Sequence, residues 1–328
     1  MAILNNPAIR QRSGELARQN REGNRLLVLV YCGVLAVLSL GSSGLNLLLD
    51  SQIGQTGGLD GMGLRAILET AEEILYYINV LFGPFWSAGF LYAMLTMARG
   101  GAPRLEHLTE GFRRLGRILG HLAFDFLLVI ALATASMYLA GILYTFTPWG
   151  AEFNAIMTPV LEHPDLFTAD GAINMALLPM EELAVVLLPM LVMGILIFLP
   201  VYLYLSLCFR MSMYLVMDRP ISGVQAHFES RRLMRGHKWQ LLKLDLSYWW
   251  YYALALAAGV LGYLDQILPL MGVELPKNSQ IPFFLALGLY FLAYIAISLW
   301  KKCEVDGAYV LAYEAIAYPE ESVLSAEV

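Results

Sequence analysis

Asp125, Arg210, Lys243, Asp245, Glu304 and Asp306 fall at or just beyond the ends of long apolar runs. Lipid solvates ionised groups poorly, so charges at that depth pair with one another or face a water-filled cavity. A cavity would form a polar vestibule for a substrate or proton, open to the cytoplasm. Pairing would form a clamp between helix ends, with Asp125 and Arg210 the expected pair because their apolar runs are consecutive and antiparallel. The clamp is the favoured reading, because the middles of the apolar runs are nearly free of ionisable groups. Proton relays and coupled transporters place such groups near the midplane.

Other chemistry has no visible basis. The five histidines (His107, His121, His163, His227, His237) form no i, i+4 pair and no HExxH. No Gly-rich loop leads into Lys-Ser or Lys-Thr, and Ser42 and Ser43 lack a GxSxG elbow. Cys32, Cys208 and Cys303 lack the spacing of a disulfide framework or zinc site. Met211, Met213 and Met217 read as helix packing rather than soft-metal ligands. The expectation is a non-enzymatic protein with no catalytic residues, no cofactor and no metal.

The elements that position these charges follow from composition. The chain is 58% hydrophobic and 15% charged, against roughly 25% charged in a soluble domain, and its mean hydropathy is +0.60. Lipid must cover the surplus. A net charge of −6 excludes nucleic acid as a bulk partner, whose binding surface is basic. A span needs roughly 20 apolar residues, and six runs qualify: 26–49, 74–97, 126–146, 183–217, 246–264 and 281–300. The first is too long for a secretory signal and lacks a cleavage motif, so it reads as a retained anchor. The fourth, about 35 residues, would extend on the order of 50 Å as one helix, and Pro200 is its expected kink.

Nineteen of the 21 Lys and Arg residues fall before span one, between spans two and three, around the connection from four to five, and after six; only Arg65 and Lys277 fall in the alternate segments. This alternation places both termini in the cytoplasm. The opposite side is acidic, with Glu69, Glu72 and Glu73 before span two and Glu181 and Glu182 before span four. Solvated, Lys-poor external loops explain that acidity more simply than a cation-attracting pore mouth. Residues 54–63, GQTGGLDGMG, read as an external connection.

Leu105, Leu108, Phe112, Leu115 and Leu119 share one helical face, with Arg113, Arg114 and Arg117 mostly elsewhere on the helix. That pattern predicts a helix lying in the cytoplasmic interface, its arginines on lipid phosphates. Pro220, Ile221, Val224 and Phe228 open a second copy, in which Arg231, Arg232, Arg235 and Lys238 take the headgroup role. Arg10, Arg12, Arg18, Arg21 and Arg25 make a weaker third ahead of span one. Tyr248-Trp249-Trp250-Tyr251-Tyr252 suits an interfacial aromatic belt. Gly41-Ser42-Ser43-Gly44, and Ala255 with Gly259 and Ala258 with Gly262, permit close helix contact. The expected fold is an all-α polytopic membrane protein, with six transmembrane helices as three hairpins and basic cytoplasmic interfacial helices. It forms one membrane domain over 1–328, with a basic segment 1–25 and a cytoplasmic tail 301–328.

Asp218-Arg219-Pro220, then Ser230, Leu233, Met234, Gly236 and Lys238 ahead of an aromatic-rich span, and a closing Ala312–Ile316 (AYEAI) together resemble the bacterial integral membrane family called domain of unknown function nine hundred and seventy-five. The resemblance implies a bacterial cytoplasmic membrane and no established activity. The functional expectation is a transport-associated accessory or scaffold protein, with anionic lipid headgroups and a membrane-protein partner or second copy as its contacts. A long exposed apolar strip favours that role. The alternative is a permease or lipid-handling transporter, which requires an open vestibule around Asp125 and Arg210.

Overall fold

The computed structural model describes residues 4–53, 59–163, 178–272 and 281–319, and every regular element among them is helical. In order these are α1 (Asn6–Gln19), α2 (Arg21–Ile53), α3 (Leu59–Ala98), a 3-10 turn at Leu105–Thr109, α4 (Glu110–Arg113), α5 (Leu115–Tyr144), α6 (Pro148–Leu161), α7 (Met180–Cys208), α8 (Ser212–Asp218), α9 (Gly223–Leu233), α10 (Lys238–Ser247), α11 (Trp249–Leu261), α12 (Leu264–Leu270) and α13 (Ile281–Ala317). Five stretches are long and apolar enough to cross a membrane; α11 and α12, bent by 73°, make a sixth if counted as one span. Residues 54–58, Lys277 and 320–328 lie outside the described residues, as do the side chains of 42–65 and Glu72.

The chain divides into two compact units, Met1–His121 with Arg210–Val328, and Leu122–Phe209. In the first, α13 is the central element, packing against α1, α2, α3 and α11. Its buried stretch from Cys303 to Ile316 includes Tyr313 and Ala308, both 0% exposed. Residues 301–317, read from the sequence as part of a tail, are therefore packed helix. In the second unit, α6 packs on α7, and the Tyr144 hydroxyl donates to the Val186 carbonyl at 2.7 Å. Helix starts follow side-chain chemistry: Thr147 accepts from the Gly150 amide ahead of α6, and Ser222 from the Gln225 amide ahead of α9.

Three expectations need correction. The basic segment 105–119 is not one helix. It breaks at Arg114, and its first part packs on α3, with Leu108 1% exposed and Phe112 against Phe82 and Phe85. Two glycines allow this: a Cβ at Gly89 would strike the Leu108 carbonyl, and one at Gly111 the Phe85 carbonyl. Backbone contact with α3 thus buries Leu108, while Leu105, Leu115 and Leu119 of the same stripe stay exposed. Second, α7 runs on past Pro189 and Pro200 to Cys208, and the break comes at Phe209–Met211. There the Met211 amide donates to the Ser230 hydroxyl at 3.1 Å, which replaces a helical bond and ends α7. Third, span five is not one straight helix but α11 and α12, bent by 73° after Leu261.

In the motif between α9 and α10, Ser230 is fully buried on Met211, Met234 is fully buried, and Gly236 has φ 85°. A side chain disfavours that left-handed backbone, which accounts for the glycine. The motif therefore builds a rigid joint. The small-residue faces are used unevenly: Gly262 meets the Tyr290 ring on α13, whereas Gly259 faces open space.

Candidate functional site

Lys302, Asp306, Tyr309 and Tyr313 are spaced 4, 3 and 4 along α13, so they share one face. Each meets a polar or aromatic partner. Lys302 Nζ lies 2.9 Å from Asp306 and over the rings of Phe90 and Tyr31 at 4.8 and 5.0 Å, a cation–π arrangement suited to a buried ammonium. The Tyr309 hydroxyl donates to Asp245 Oδ1, which also accepts from Arg210 Nη2 at 2.7 Å. Tyr252 closes this group through a 2.7 Å hydroxyl contact with Tyr309.

One turn later Tyr313 donates to Asp218 Oδ2 at 2.7 Å, and Tyr318 donates to the same oxygen at 2.6 Å. Arg99 Nη2 donates to Asp218 Oδ1 at 2.6 Å, and Arg99 Nε to Glu314 at 2.9 Å. Arg219 donates to the Tyr318 hydroxyl at 3.2 Å and pairs with Glu229 at 3.5 Å. Burial works against the Arg99 charge, but its bonds to Asp218 and Glu314 outweigh that and hold the guanidinium above its ordinary value. Arg219 is also raised, first by its bond to the Tyr318 hydroxyl.

Asp218 is thus a carboxylate with a 4% exposed side chain and three donors. A carboxylate satisfied this way is a poor base and a strong tether. Through Tyr313 it joins the Asp218-Arg219-Pro220 and Ala312–Ile316 motifs, nearly a hundred residues apart in sequence.

Of the six sequence-selected charges, Asp125 belongs to the second unit and the other five to the first. Arg210, for which Asp125 was the expected partner, pairs with Asp245 at 2.7 Å. Asp306 pairs with Lys302 and Glu304 with Lys301 at 2.6 Å, both within α13. Lys243 is exposed, and Asp125 lies on α5 in the second unit. Removing one member of the Arg210–Asp245 pair leaves the other in poorly solvated surroundings. Arg210→Gln or Asp245→Asn is expected to cost about 2–3 kcal/mol, less than a fully buried pair because the Arg210 side chain is about one-third exposed. The double variant should regain part of that loss in detergent unfolding; additive losses would contradict the pairing.

The proposed headgroup arginines have mixed surroundings. Arg231, Arg232 and Arg235 are exposed, and Lys238 is half-buried. Arg113 pairs with Glu110, Arg114 lies 4.6 Å over the Tyr92 ring, and Arg117 donates to the Arg219 carbonyl. On α9, the predicted apolar face (Val224, Phe228) is exposed at 41% and 57%, while Gly223, Ala226, His227 and Ser230 are buried.

Two features had no signal strong enough to be singled out. The α13 face was hidden because Lys301 and Lys302 looked like the end of a span; the 4, 3, 4 spacing of 302–313 would have exposed it. The His121 and His227 rings, 106 positions apart, stack at 4.5 Å and 26°. Their approach depends on Gly223, where a Cβ would strike the backbone at His121 and Arg117.

No curated protein and no solved structure matches the chain. A family comparison matches residues 4–300, a range that includes the Asp218 and Ser230–Lys238 motifs and stops short of Ala312–Ile316. With that match over most of its length, the chain belongs to the family described as "Protein of unknown function (DUF975)".

Proposed function

We propose that the chain is a non-enzymatic accessory or scaffold protein of a bacterial cytoplasmic membrane, associated with transport and with both termini in the cytoplasm. The carrying observation is that the interior charges of the first unit are spent on one another: Arg210 on Asp245, Lys302 on Asp306, and Arg99 on Asp218 and Glu314. Closed pairs support a clamp and speak against the open vestibule that a permease would need. The alternating Lys and Arg distribution supports the orientation.

A second feature supports the scaffold role. Leu188, Val192, Ile195, Leu199 and Leu203 make one long stripe on α7, exposed at 56, 46, 50, 45 and 52%. Lipid or a partner helix must cover such a surface.

The test is recovery of the tagged chain from its native membrane in mild detergent, with mass spectrometry of proteins and lipids. A stoichiometric membrane-protein partner, lost when Val192 and Leu199 are replaced by Trp, is the expected result. Recovery of the chain alone with one lipid class strongly enriched would replace the scaffold reading with lipid handling.

A further inference from the structure

Where α1 passes into α2, the chain stays near-helical: the Asn20 amide bonds to Leu16 and the Asn24 amide to Asn20. Gly14, Arg18, Arg21 and Arg25, spaced 4, 3 and 4, therefore fall along one side. Opposite them α13 brings Trp300, Lys301 and Glu304, and the two sides enclose a cleft of about 530 Å³. This lies within the usual range for a small-ligand site, roughly 300–1,000 Å³.

The charge of this cleft is one-sided. Glu304, the acid in its lining, is held by Lys301 at 2.6 Å. Arg18, Arg21 and Arg25 are exposed, and none makes an ion pair among the described residues. Three unpaired arginines lining a cleft whose carboxylate is already held by a lysine form a receptor for a multivalent oxyanion, because each guanidinium offers forked N–H donors that match phosphate oxygens. Elsewhere in this unit Arg99, Arg210 and Arg219 are all paired with acids.

The surroundings select the source of the phosphate. Arg25 directly precedes the apolar run of α2, whose Leu26 and Leu29 are each 52% exposed, and Trp300 is 63% exposed. A phosphate at Arg18, Arg21 and Arg25 would thus sit at the edge of apolar surface able to take acyl chains, with an indole at headgroup depth. We infer that the cleft between the α1–α2 junction and α13 binds the phosphate of an anionic phospholipid. This goes beyond the scaffold reading and stands whether or not a protein partner exists.

The experiment uses the full chain in mild detergent, with thermal unfolding followed as phosphatidylglycerol, phosphatidylcholine of the same acyl chains, or inorganic phosphate is added. Phosphatidylglycerol is expected to raise Tm saturably, and phosphatidylcholine to leave it unchanged. Arg18→Gln, Arg21→Gln and Arg25→Gln together should weaken the apparent affinity about a hundredfold, and Arg21→Gln alone about fivefold. Arg104→Gln removes an exposed arginine outside the cleft, one that pairs with Glu106, and should change it by no more than about twofold.

The three cleft arginines make no ion pair, so their replacement should preserve the lipid-free Tm; if it does not, the single Arg21 variant decides. Equal loss in Arg21→Gln and Arg104→Gln, or no loss in Arg21→Gln, would overturn the site. A shift reproduced in full by inorganic phosphate would overturn the lipid assignment.

Discussion

Asp218→Ala is expected to lower the unfolding free energy in detergent by about 3–5 kcal/mol, the range for removing one partner from a buried charged cluster. Three donors lose their acceptor at once: the Arg99 guanidinium and the hydroxyls of Tyr313 and Tyr318. Glu314 still holds Arg99 at 2.8 Å, which limits the damage at that end. Tyr313 has no such alternative; it is 0% exposed and stacked on Tyr214 at 5.5 Å. Tyr318→Phe removes one of the three donors and the acceptor of the Arg219 bond at a half-buried position, and should cost only about 1–2 kcal/mol. A loss for Asp218→Ala no larger than that of Tyr318→Phe would mean that the carboxylate does not organise the cluster.

Gly111→Ala should produce the second large effect, at least about 3 kcal/mol, at or above the upper end of ordinary overpacking. The added methyl would meet the Phe85 carbonyl, and backbone cannot swing aside as a flexible side chain can. Gly89 makes the reciprocal contact with Leu108, one turn further along α3. Gly116→Ala is the matched control. It lies five residues on in sequence, within α5 and with nothing within 4 Å of the new methyl, and should be neutral or stabilise by up to about 1 kcal/mol. Equal responses at the two positions, read by thermal unfolding, would contradict the close crossing of α3 with the Leu105–Arg113 segment.

Those two glycines show what the sequence could and could not carry. Gly111 and Gly116 flank the same Arg-rich stretch, and nothing local separates them; the difference arises from α3, more than 20 positions earlier. The apolar runs were legible because hydrocarbon thickness fixes their length, and α2, α3, α5, α7 and α13 fall where hydropathy places them. Their ends were less legible. Lys301 and Lys302 mimic the end of a span, yet each is neutralised three or four residues later by Glu304 or Asp306, so α13 continues to Ala317.

Pro200 lies inside α7 and does not end it. The actual end of α7 is set by Ser230, a residue on another helix whose hydroxyl takes the Met211 amide. Arg210 lies in that same joint, and Asp245, with which it pairs, is 35 positions away on another helix, a partner that no local signal picks out. The pieces of the family motif were visible one by one. Their meeting at Asp218 and Tyr313 required the fold.

The most direct measurement is a double-mutant cycle on that meeting point, Asp218→Ala with Tyr313→Phe, by reversible denaturation of the full chain in mild detergent. A coupling of about 1–2 kcal/mol is expected, since each single change should remove the same hydrogen bond. Losses that simply add, within about 0.5 kcal/mol, would show that the two motifs are not joined energetically and would contradict the clamp.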